Sequence, residues 1–139
     1  MPRISQVYFA MAILYLMAGI AIALHMSISQ DHAAAGAHAH VNLLGWVTSA
    51  VFGGYLALNP DKAVGWLPWT QFGAYATGLV VMLPALYMML TGRPGFEPAV
   101  AAGSMAVALG VVLFAVIIFA RGREARTGQE DAAALVPAA

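Results

Sequence analysis

Apolar positions in this chain fall into four long runs, at about 7–28, 38–58, 66–90 and 98–120, and none of the four contains Lys, Arg, Asp or Glu. A membrane-spanning helix needs roughly 20 consecutive, mainly apolar residues. Each run meets that length, and the connections between them are short. Asn59-Pro60 closes the second run and Gly92 to Pro94 closes the third. Pro84 falls inside the third run, where it predicts a kink that neighbouring helices can tolerate. The pattern therefore predicts an all-α, integral membrane four-helix bundle over residues 1–126. An Ala-rich stretch at 127–139 reads as a mobile cytoplasmic tail.

The first run is distinguished from a secretory signal by its length. It exceeds the usual apolar region of 7–15 residues, only one Arg precedes it, and no clear small-residue cleavage site follows. It is read as retained. Small residues recur on the fourth run at Ala99, Gly103, Ala106 and Gly110, and glycines thin the second and third. Small residues let helix backbones approach closely in lipid, so the stripe suggests tight packing and a homo-oligomer.

Composition agrees with a membrane assignment. Hydrophobic residues make up 62% of the 139 and charged residues 9%, against about a quarter charged in a soluble domain. The formal net charge is zero and cysteine is absent. Disulfides, thiolate metal sites and cysteine nucleophiles are thereby excluded, and there is no basic surface for nucleic acid. The few basic residues are asymmetric. Arg3, Lys62, Arg121, Arg123 and Arg126 fall on one side of a four-span arrangement and only Arg93 on the other. The positive-inside rule puts both termini in the cytoplasm, and the expected location is a bacterial inner membrane. Trp66 and Trp69 then sit at the inner interface.

This topology gathers the candidate chemistry at the outer face. All four histidines, His25, His32, His38 and His40, lie within sixteen residues. Ionisable side chains near or inside a bilayer are costly and mark function. On a regular helix His38, Asn42, Gly45 and Ser49 form one stripe, continued by Phe52 and Gly53. It suits a buried cofactor or a close helix neighbour. His40 points about 200° away from His38 on the same helix. His25 and His38 lie at similar depth on adjacent antiparallel helices, and two such imidazoles can clamp a planar haem, as in bundle cores. His32 and His40 are other candidates for the second ligand. Met26 adds a thioether, and a His/Met set drawn from His25, His32, His38, His40 and Met26 suits copper. A cofactor-free partner, in which the histidines only hydrogen-bond, remains a third reading.

The segment AHAHVNLLGW, from Ala37 to Trp46, resembles the start of the second transmembrane helix in subunit I of heme–copper oxidases and the related nitric oxide reductases. That family carries a low-spin haem ligand there, and the matching position in this chain is His38. The likeness covers roughly residues 1–60 and gives His40 no counterpart. The chain is also similar to small four-span bacterial membrane proteins sometimes named after oxidase subunit I. The shared pattern runs from Met26 through Asp31-His32 to His38, His40, Asn42, Gly45 and Trp46. Oxidases of the family have about twelve spans and draw further histidines from later helices. No histidine follows His40 here, so the chain is not a complete terminal oxidase by itself. The resemblance implies b-type haem on His38, with a role in electron transfer or in binding a small redox or gas ligand, and a possible respiratory-chain partner.

Overall fold

A computed structural model describes residues 1–120. The expected tail at 127–139 lies outside these, as do Arg121, Arg123 and Arg126. Four helices are long and apolar enough to cross a membrane: α1 (Arg3–Ser29), α2 (Ala35–Leu58), α3 (Trp66–Leu90) and α4 (Glu97–Phe119). The protein is all-helical among the described residues and fits a multi-pass membrane protein. A short 3-10 turn, Pro60–Ala63, joins α2 to α3. The second helix starts at Ala35, before the apolar run itself begins, because Asp31 Oδ1 accepts the Ala33 N–H (2.9 Å) and organises the turn that enters it.

Successive helices run antiparallel, as close contacts at glycines show. A Cβ on Gly53 would fall 2.9 Å from Tyr8 Cβ, one on Gly45 2.5 Å from the Tyr15 ring, and one on Gly19 2.7 Å from the Asn42 amide. These pairs set α1 against α2. Gly103 meets Met82, Gly78 meets Val107 and Gly110 meets Tyr75, which sets α3 against α4. The stripe of α4 offered to an oligomer is thus used within the chain, through Gly103 and Gly110. Ala99 and Ala106 on the same stripe are only half-buried.

The two hairpins share an aromatic core at the end that carries the start of α1. Tyr8, Phe52, Leu56, Tyr75 and Phe114 belong to one buried cluster there, with Phe52 stacked on Phe114 at 3.8 Å between ring centroids. Polar groups inside this cluster are paired, since an unpaired one in an apolar medium costs several kcal/mol. The Tyr8 hydroxyl donates to Gln71 Oε1 (2.5 Å), and Gln71 Nε2 donates to the Gly110 carbonyl (3.1 Å). Among the described residues one buried side-chain atom, Ser5 Oγ, has no partner. At the same end Lys62 reaches the last carbonyls of α4, at Ile117 (3.2 Å), Ile118 (2.5 Å) and Ala120 (2.6 Å). A cation there satisfies orphan carbonyls and opposes the negative end of the helix dipole.

Candidate functional site

The histidines occupy the opposite end, around the α1–α2 turn. His25 lies in the last turns of α1, His32 in the turn, and His38 and His40 in the first turns of α2. Directly after His40 the helix widens: Val41–Thr48 is π-helical. Such stretches are rare and often accompany functional sites. Side chains support the wider turn, because Thr48 Oγ1 donates to the Leu43 carbonyl five residues back (2.8 Å) and Ser49 Oγ contacts that of Leu44 (3.4 Å). From the neighbouring hairpin the Tyr75 hydroxyl donates to the same Leu44 carbonyl (2.9 Å).

Widening changes which residues share a face. In a regular α-helix positions four apart drift by about 40° at each step. Here Ala37, Val41, Gly45 and Ser49, each four apart, are all buried. The sequence-based stripe of His38, Asn42, Gly45, Ser49 and Gly53 is nonetheless a contact face. It packs on α1 as a close helix neighbour, with Asn42 over Gly19, Gly45 under Tyr15 and Gly53 against Tyr8.

His38 is the most organised of the four imidazoles. Its Nδ1 lies 3.0 Å from the Gly19 carbonyl of α1. A carbonyl only accepts, so Nδ1 carries the proton and Nε2 is left with a free lone pair. The ring is half-buried. The Asn42 amide donates to the His38 backbone carbonyl (3.0 Å) and lies near both ring nitrogens, at 3.3 and 3.4 Å. Equal distances to both nitrogens place the amide over the ring face, where it restrains the imidazole without occupying either lone-pair direction.

The other histidines are exposed. His40 Nδ1 bonds the Gly36 carbonyl one turn back (2.8 Å), and His32 Nδ1 bonds that of Gln30 (3.2 Å). Each therefore also leaves Nε2 free, but on the surface. The His25 backbone carbonyl accepts from Ser29 Oγ (2.8 Å), and its ring is exposed. Met26 differs from His25, being only 7% exposed. It lies two helical turns beyond Gly19 on the same face of α1, the face turned to α2. Among the described residues no three His, Asp or Glu side chains gather into a metal-holding group. Direct packing of Asn42 on Gly19 and of Tyr15 on Gly45 leaves no slot for a macrocycle between α1 and α2 at that depth.

Beside this seat runs an apolar groove between α1 and α3, with a volume of about 400 Å³. Tyr15, Ala18 and Ile22 form one wall, Val80, Pro84 and Tyr87 the other, and Val41 of α2 closes its base. Pro84 has no N–H, so the Val80 carbonyl loses its helical partner along this wall. Sequence reasoning pointed to His38 and Asn42 but missed the widened turn, Tyr75 and the groove. The fourfold spacing of Ala37, Val41, Gly45 and Ser49 was the available signal for the first. Compared with known proteins, the chain matches no family model, no curated protein and no solved structure.

Proposed function

We propose that this is an integral membrane haem-binding protein in which His38 Nε2 is the axial ligand. One observation carries the reading: the hydrogen bond from His38 Nδ1 to the Gly19 carbonyl. Haem- and metal-ligating histidines hold the ring and set its tautomer through the other nitrogen in this manner. Bound b-type haem would supply the redox or ligand-binding chemistry. Gly19 fixes the tautomer and Asn42 restrains the ring. His25, His32 and His40 are exposed, so a second axial ligand requires a neighbouring copy or a movement of α1. A site with one protein ligand favours small-ligand binding over electron transfer. Basic-residue asymmetry supports placing this end at the outer, periplasmic face with both termini in the cytoplasm.

The test is spectroscopic. Purified protein supplied with haem is expected to show a Soret band that shifts on dithionite reduction and on addition of carbon monoxide. His38→Ala is expected to lose it, while His32→Ala retains it. Protein that stays colourless sinks the proposal. Copper is the second reading, favoured by the burial of Met26 on the face turned toward α2. About one copper per chain without haem absorbance, lost in both His38→Ala and Met26→Leu, is its signature.

A further inference from the structure

The groove between α1 and α3 contains no histidine in its lining and plays no part in the reading above. Its geometry suits a chain-shaped occupant. Along α3 the lining runs from Val80 to Met88, a rise of about 12 Å at 1.5 Å per residue. A volume near 400 Å³ over that length makes it narrow. A second helix, 10–12 Å across with its side chains, is too wide to enter. A hydrocarbon chain lying parallel to the helices is not.

The surroundings state which chain it is. The α1 wall, Tyr15, Ala18 and Ile22, continues at helical spacing to the exposed His25 near the membrane surface. On the other side the α3 wall leads to Arg93. Gly92, at φ 85°, turns the chain back at the end of α3, and the Arg93 N–H donates to the carbonyl of Met88, a groove-lining residue, at 3.0 Å. This left-handed C-cap holds Arg93 over the helix end. The Arg93 side chain is exposed, and it is the one Lys or Arg at the histidine end of the described residues. The two acids at this end have local roles. Asp31 caps the turn before α2, and Glu97 sits in the first turn of α4, where the helix dipole favours a carboxylate. An apolar channel whose α3 wall ends at an exposed guanidinium matches a molecule with a hydrocarbon chain below and a phosphate above, since Arg binds phosphate in forked hydrogen bonds.

We propose that the α1–α3 groove binds one acyl chain of an anionic phospholipid from the leaflet at the histidine end, with its headgroup phosphate held by Arg93. Headgroup charge selects the lipid and groove shape retains it. Polybasic attraction to a membrane surface amounts to about 1 kcal/mol per Lys or Arg, so one Arg corresponds to a preference of roughly fivefold over a zwitterionic lipid.

Full-length protein, stripped of lipid in detergent, is titrated with phosphatidylglycerol or phosphatidylcholine and bound lipid is counted by native mass spectrometry. One phosphatidylglycerol per chain is expected, bound about fivefold more tightly than phosphatidylcholine. Arg93→Gln is expected to abolish that preference, weakening phosphatidylglycerol uptake about fivefold more than phosphatidylcholine uptake. Ala18→Trp on one wall and Val80→Trp on the other are expected to abolish tight uptake of both lipids. Both positions are exposed, Val80 by 64%, so each variant should keep its helical circular dichroism, and either suffices if the other fails to fold. The proposal is overturned if a folded Trp variant still binds lipid as before, or if Arg93→Gln keeps the preference. Glycerol phosphate competing as well as the whole lipid would equally overturn it, because the acyl chain would then contribute nothing. So would groove-filling variants that only convert a dimer to a monomer, which would make the occupant a second copy.

Discussion

Substituting glycines on the α3–α4 hairpin separates close packing from intrinsic helix preference. A Cβ at Gly103 would lie 2.7 Å from the Met82 backbone nitrogen and 2.9 Å from the Gly78 carbonyl oxygen. Ordinary contact begins near 3.4 Å, and backbone atoms cannot rotate away. The helices must therefore part by about 0.7 Å at this crossing, a gap that forfeits a quarter to a half of the dispersion energy of each atom pair across it. Overpacking of this sort costs about 1–3 kcal/mol, and lipid offers no hydrophobic force to press the helices back together. Gly73, on the same hairpin, has nothing within 4 Å of an added Cβ. There Ala should stabilise the helix by about 0.5–1 kcal/mol, since glycine is the poorer helix former. That gain applies equally at Gly103, so the difference between the two variants isolates the contact. Reversible unfolding in mixed detergent–SDS micelles should place Gly103→Ala about 1–3 kcal/mol below Gly73→Ala. Equal midpoints for the two would refute the crossing.

Other outcomes follow from single contacts. Lys62→Met removes a cation from three terminal carbonyls of α4 and should cost about 1–2 kcal/mol in the same assay; no change would show that the bonds are not held in a bilayer or micelle. Gln71→Leu strands the buried Tyr8 hydroxyl and should cost about 1–3 kcal/mol, whereas adding Tyr8→Phe should recover part of that loss; strict additivity would argue against the pair. Gly19→Ala places a methyl 2.7 Å from the Asn42 amide and disturbs the seat of His38, so haem affinity should fall by about tenfold. Combining it with Asn42→Ala should restore room, and a Soret titration of the single and double variants measures both effects.

Much of the architecture was legible because lipid imposes simple rules. A run of apolar residues without charge has few alternatives to a spanning helix, and the third run, expected at 66–90, is the helix Trp66–Leu90. The stripe through Asn42, Gly45 and Gly53 was legible as a contact face because small and polar residues stand out at helical spacing. Its partner was not. Gly19, Tyr15 and Tyr8 present glycine surface, ring faces and backbone carbonyls, and a carbonyl has no signature in a sequence. For the same reason Lys62 could be counted as an inner charge but not placed on α4. The π-helical turn escaped because a regular pitch was assumed through His38. It persists because Thr48, Ser49 and Tyr75 supply hydrogen bonds that the 3.6-residue pattern does not encode.

The two ends of the bundle are built on different principles, and this bears on the site. At the Tyr8 end, large side chains from all four helices fill one cluster, so side-chain packing fixes each ring. At the histidine end, α1 and α2 meet through Gly19 and Gly45, and a groove keeps α1 apart from α3. The orientation of His38 rests instead on two directional contacts, its bond to the Gly19 carbonyl and the Asn42 amide over its face. Glycine at position 19 serves both, since the missing side chain lets Asn42 settle on α1 and lets the ring reach the backbone. The widened turn after His40 then carries Val41 and Gly45 onto the buried face without rotating His38 off α1. A ring fixed by its own tautomer-setting bond and only half-buried keeps a nitrogen lone pair accessible where a fully packed core would have covered it.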